Sequence, residues 1–128
     1  MQKTAILSGI LLAAAAVILG AFGAHALKTR LEPDQLQVFE TAVRYQMYHA
    51  FALILLGISF DKLNVSVASY SAWLFLAGIF FFSGSLYLLA CKSIAGIEHW
   101  RFLGPVTPLG GLCFISGWIL FFVSYLKK

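Results

Sequence analysis

Five residues of this chain combine reactive side chains with spacings that invite chemistry: His25, Glu40, Arg44, Tyr48 and His49. Glu40 and Arg44, Arg44 and Tyr48, and Tyr45 and His49 are each four apart, the separation that stacks side chains on one helix face. Arg44 offers a bidentate fork to a carboxylate or a headgroup phosphate. The two histidines offer a proton relay or a bis-imidazole haem site, and with His99 a set of nitrogens for a metal. None of these has a distinctive spacing. There is no haem-attachment Cys-x-x-Cys-His, and Cys91 and Cys113 are too far apart for a Cys-x-x-Cys pair. Ser83 and Ser85 fall in the middle of an apolar stretch, at a different depth from either histidine, which argues against a Ser–His nucleophile. The residues therefore support no catalytic group, no metal site and no resident cofactor. They support a ligand pocket of His25, Glu40, Arg44, Tyr48 and His49, set against a plainer reading: charge neutralised where a helix leaves the membrane, and histidines bonded across helix contacts.

The elements that must position these groups are apolar. The chain has 128 residues, of which 61% are hydrophobic and 11% charged. A soluble domain carries about a quarter charged residues, so this chain lacks the polar surface to cover a globule and needs lipid as its solvent. The fold class expected is all-α: a single membrane domain over 1–128, a polytopic protein with four transmembrane helices in a compact bundle. The spans run over about 5–27, 45–60, 70–91 and 105–126, with a helical extension from 33 leading into the second.

Span 1 follows Lys3 and ends in Ala24-His25-Ala26, a small-x-small pattern, yet it exceeds the about 7–15 residues of a signal-peptide core. Pro33 and Asp34 suit the first turn of a helix, and Leu36, Phe39, Val43 and Met47 recur at helical spacing with polar residues on the other faces. No Gly or Pro lies between Asp34 and Gly57, so this amphipathic stretch either runs straight into span 2 or breaks near Arg44 as a surface helix. Pro105 and Pro108 fall in the expected first turn of span 4, where helical N–H groups lack acceptors.

Four crossings place both termini and the Asp61–Lys62 turn on one side, face A, and connections 1–2 and 3–4 on the other, face B. Lys and Arg number four on face A and five on face B, so the positive-inside rule barely discriminates; the weak lean is to cytoplasmic termini. The net charge of +4 is spread over span ends as membrane anchors, and no basic stripe suggests nucleic acid. Helix contacts in lipid need small residues. Gly9 with Ala13, and Ala16, Gly20 and Ala24, supply them in span 1. Span 3 has the seven-residue series Ser71, Gly78, Ser85 and Ala77, Gly84, Cys91, and span 4 has Gly110, Cys113 and Gly117.

Four motifs carry a further signal: Gly20-Ala21-Phe22-Gly23-Ala24-His25-Ala26-Leu27, Tyr45-Gln46-Met47-Tyr48-His49-Ala50, Phe82-Ser83-Gly84-Ser85-Leu86-Tyr87, and Gly104 to Gly111 followed by Gly117-Trp118. In this order they resemble the YgdD/YwdK-like family of small bacterial membrane proteins, which has mitochondrial relatives. The resemblance covers nearly the whole chain. It implies a multi-pass protein of the bacterial inner (plasma) membrane and supplies no activity or catalytic residue. The function expected is that of a non-enzymatic accessory or interaction subunit with a polar pocket at face B for a lipid headgroup or small anion. Its partners would be membrane lipids and either a larger membrane complex or further copies of itself. An oligomeric small-solute or ion conduit is the alternative, and a haem- or metal-binding protein a third reading.

Overall fold

A computed structural model describes all 128 residues, and every regular element is helical. Helix α1 spans Gln2–Phe22 and continues through a π-turn, Gly23–Leu27. Helix α2 spans Pro33–Ile58 without a break, followed by a 3-10 turn over Phe60–Lys62. Its start is fixed chemically. Pro33 needs no amide acceptor, the Gln35 side chain accepts from the Glu32 N–H at 3.3 Å, and Glu32 accepts in return from the first turn. The amphipathic extension and the second apolar stretch are thus one rod.

Helix α3 (Val65–Gly78), a π-turn (Ile79–Ser83) and α4 (Gly84–Ala90) form the third rod, continuous over Val65–Ala90. It begins five residues before the expected Tyr70, because Asn64 caps it by accepting from the Val67 N–H at 3.2 Å. The connection after it holds one turn of helix, α5 (Lys92–Ala95), closed by Gly96 at φ 70°. Helix α6 spans Leu103–Leu126, two residues earlier than expected. Pro105 is consequently in the first turn, but Pro108 lies inside the helix. It removes one amide beside the exposed Gly104, and the helix carries on.

Three rods, Gln2–Leu27, Val65–Ala90 and Leu103–Leu126, are long and apolar enough to cross a membrane. Rods of 26 residues measure about 39 Å, against a hydrocarbon core of about 30 Å. Arg44, Gln46 and His49 keep α2 out of that class on composition.

The rods pack in sequence: α1 on α2, α2 on the α3–α4 rod, and that rod on α6. Helices α1 and α6 do not pack side by side, so the compact four-helix bundle expected from the sequence has no closing contact between its first and last helices. The cause lies in where small residues sit. On α1, Ala5, Gly9, Ala16 and Gly23 are buried, while Leu11, Val17 and Ile18 stand outward. Gly9 lies so close to α2 that a Cβ would come within 2.7 Å of the Ala50 carbonyl oxygen. The buried stripe therefore steps by seven from Gly9, and the expected partners Ala13 and Ala24 fall outside it, half-buried and exposed. On the third rod, the series Ser71, Gly78, Ser85 is fully buried toward α6, and Ala77, Gly84, Cys91 is only half-buried. Helix α6 answers with Gly110, Phe114, Gly117, Phe121 and Ser124, a three-and-four spacing typical of left-handed packing. A Cβ on Gly110 would lie 2.7 Å from the Phe82 Cα. Backbone meets backbone there.

Candidate functional site

His49 is buried at the centre of the array. One ring nitrogen, Nδ1, lies 2.7 Å from the Tyr45 carbonyl oxygen, and the Trp118 indole N–H donates to the other, Nε2, at 3.1 Å. A carbonyl can only accept and an indole N–H can only donate, so the imidazole is neutral with its proton on Nδ1. Phe114 stacks on it with centroids 3.5 Å apart and planes 9° apart. Both nitrogens are spent inside the protein, which leaves no lone pair for haem or metal. No group of three His, Cys, Asp or Glu side chains gathers anywhere in the chain.

Gln46 is the buried polar residue that the sequence reading passed over. Its amide N–H donates to the Leu12 carbonyl at 2.8 Å, and its oxygen accepts from the Tyr87 hydroxyl at 2.7 Å. One side chain thus joins α1, α2 and α4. Its signal was available: Ala42, Gln46, His49, Ala50 and Leu53 recur at helical spacing, so an amide interrupts a buried face. Three of the four buried serines are tied in the same way, and Ser124 donates to the Phe121 carbonyl within α6 at 2.6 Å. Ser83 donates to the Ala42 carbonyl at 2.8 Å, Ser71 to the Gly117 carbonyl at 2.7 Å, and Ser85 bonds Thr107 across the α4–α6 contact. No buried side-chain nitrogen or oxygen lacks a partner. No serine hydroxyl meets an imidazole.

Of the remaining expected pocket residues only Tyr48 borders a hollow with His49, and the five do not form one cluster. Glu40 and Arg44 pair at 3.5 Å on the outer face of α2, with side chains 50% and 56% exposed. His49 is five residues beyond Arg44, a rotation of about 140° round the helix, which carries it inward. Tyr48 stays outward, edge-on to Tyr45 at 5.6 Å. His25 is exposed in the π-turn of α1. Gly23 and Leu27 face α2, and two residues from Gly23 is about half a turn away. The sequence expectation that His25 points inward toward His49 is corrected on that ground. Glu98, His99 and Arg101 are exposed in the second face B connection and join neither group.

Two of the hollows that border α2 are lined by the expected pocket residues. Asp34, Gln37, Val38, Thr41, Arg44 and Leu86 line one of about 350 Å³, which carries two opposite charges. Tyr45, Tyr48, His49, Phe82, Phe114 and Trp118 line most of another, of about 540 Å³, which is largely aromatic.

The depth of the ion pair follows from its neighbours. Val43 faces Gly20, Ala42 is bonded to Ser83, and Gly110 lies against Phe82. Each of those levels is seven residues, about 10 Å, from the face B end of its rod at Leu27, Ala90 or Leu103. The apolar rods exceed a hydrocarbon core of about 30 Å by about 5 Å at each end, so a crossing centred in the bilayer would carry Arg44 about 5 Å inside that core.

Residues 19–111 match the family described as "Protein of unknown function (DUF423)". A UPF0382 membrane protein of Staphylococcus haemolyticus is 42% identical over 126 residues, covering 98% of both chains. The UPF0382 membrane protein YwdK of Bacillus subtilis is 43% identical over 127 residues, again covering 98% of each. No solved structure matches the chain.

Proposed function

The chain belongs to the DUF423 family of membrane proteins, and from that premise we propose that it is a non-enzymatic accessory protein acting by contact through the outer face of α2. The observation that carries the reading is the division of its polar groups. Those inside the array all have hydrogen-bond partners within the protein, most of them across helix contacts, whereas Asp34, Glu40 and Arg44 face outward. A conduit needs interior groups free to exchange partners with a passing solute, and here the carriers of polarity are committed to one another.

In this reading all four long rods cross the bilayer of a bacterial inner membrane, with both termini cytoplasmic. The hollow beside Arg44 receives a lipid headgroup. Arg44 would hold its phosphate, with Gln37 and Thr41 beside it. Asp34 shares the lining, so a zwitterionic headgroup, with an ammonium for the carboxylate, fits better than a bare anion. Native mass spectrometry after mild detergent extraction tests this. Wild-type protein should keep a phosphatidylethanolamine adduct that Asp34→Asn and Arg44→Gln each reduce severalfold. Equal retention by all three proteins overturns the headgroup site.

A further inference from the structure

We propose that the outer face of α2 seats a second copy of this chain, parallel to the first about a two-fold axis along the membrane normal, with each Arg44 reaching the other copy's Glu40. The inference rests on the reading that α2 crosses the bilayer.

The argument starts from an imbalance. Between residues 4 and 27, 65 and 90, and 103 and 126 there is no Asp, Glu, Lys or Arg. The α2 rod alone brings ionised side chains to membrane depth, and it presents them outward, each about half exposed. Ionised residues in membrane segments ordinarily face protein or a water-filled cavity, where a partner offsets their desolvation. On this surface the other polar side chain at that level is already satisfied: Thr41 donates to the Gln37 carbonyl at 3.0 Å. Toward face A the stripe turns apolar, with Phe51, Leu55 and Ile58 at least half exposed.

Charge chooses the occupant. The surface offers one acid and one base a single helical turn apart, so it is complementary to itself under a two-fold axis. Helical side chains lean toward their N-terminus, which brings the Arg44 guanidinium up to the level of Glu40 in both copies. The resulting group of two carboxylates and two guanidiniums is neutral. An anionic lipid phosphate seated centrally on the same stripe would instead meet Glu40 and Asp34 as well as Arg44. Arg44 has five N–H donors, enough to serve a second copy on one side and the flanking hollow on the other.

The test is a charge-swap complementation in liposomes, with dimer fraction read by single-molecule photobleaching of a terminal dye. Wild type should dimerise. Glu40→Arg alone and Arg44→Glu alone place like charges across the axis, and each should lower the association constant about tenfold or more. Mixing the two single variants places arginines opposite glutamates and should restore a heterodimer, although neither chain then has its own internal pair. That recovery also shows that both variants fold. Monomeric wild type, undiminished dimer in either single variant, or a mixture that stays monomeric overturns the proposal. Loss of the crossing itself would show separately, as exchange of the membrane side from which Lys62→Cys is labelled.

Discussion

The His49 Nδ1–H donates to the Tyr45 carbonyl and its Nε2 accepts from the Trp118 indole N–H, so it works as a bridge between α2 and α6. The sequence made it look reactive because it follows an i,i+4 ladder of charged and aromatic residues. What spacing alone did not convey is rotation: five residues past Arg44, the helix has turned the ring from lipid to core. His25 misled for a related reason, since a π-turn sits where a regular helix was expected. The glycine-rich motif around it does face α2, but through Gly23 and Leu27. Gln46 was harder to notice because a neutral amide carries no charge to draw attention. The serine contacts, by contrast, were legible from mid-span position. If His49 is a bridge, His49→Phe keeps the stack on Phe114 and orphans the Trp118 N–H and the ring's other bond, costing about 1–3 kcal/mol. His49→Ala also leaves a cavity and should cost about 2–5 kcal/mol. Denaturation in mixed detergent micelles checks the order. A variant as stable as wild type would remove His49 from the core account.

Helix existence was legible because apolar runs of this length have few alternatives, whereas helix ends were not. Asn64 looked like part of a polar turn and is a cap, and Phe102 precedes a helix that two prolines appeared to start later. The sequence leaves the continuity of α2 open, because neither Gly nor Pro marks a break and yet an arginine stands at the junction; Glu32, Pro33 and Gln35 decide where the rod begins. Seven-residue series of small residues told which face of the third rod meets α6, though two were on offer and only Ser71, Gly78, Ser85 is buried. The contact is tightest at Gly110. A methyl group there meets the Phe82 backbone, which cannot rotate away as a side chain would. Gly110→Ala should therefore separate α6 from the third rod locally and cost about 1–3 kcal/mol, despite the better helix propensity of alanine. Gly104→Ala, with nothing within 4 Å of its Cβ, should be neutral or slightly stabilising. Thermal melting of the two variants side by side separates propensity from packing, and equal melting temperatures would mean that the backbone contact carries no stability.

At the scale of the whole molecule, the number of crossings decides where everything else lies. Composition alone qualifies three rods, and three crossings make a definite prediction: with α2 lying along face B, the Asp61–Lys62 turn would be on face B and the C-terminus with it. Four crossings move both to face A. The packing favours four. Gln2 donates to the Gly57 carbonyl at 3.0 Å at one end of α1, and Phe39 packs on Gly23 near the other, so α2 runs antiparallel along almost the full length of α1. A helix so aligned cannot lie flat while its neighbour stands upright. The polar residues of α2 do not oppose this, because Gln46 and His49 are satisfied within the array and only Glu40 and Arg44 remain to be accommodated. After replacement of Cys91 and Cys113, single cysteines at Arg30, Lys62, Glu98 and Lys128 can be exposed to a membrane-impermeant maleimide in intact cells. Four crossings with cytoplasmic termini predict labelling of Arg30→Cys and Glu98→Cys from outside, and of Lys62→Cys and Lys128→Cys only after permeabilisation. The converse pattern would keep four crossings and invert the protein. Three crossings would group Lys62→Cys and Lys128→Cys with Arg30→Cys, and would leave Glu98→Cys alone on the opposite side.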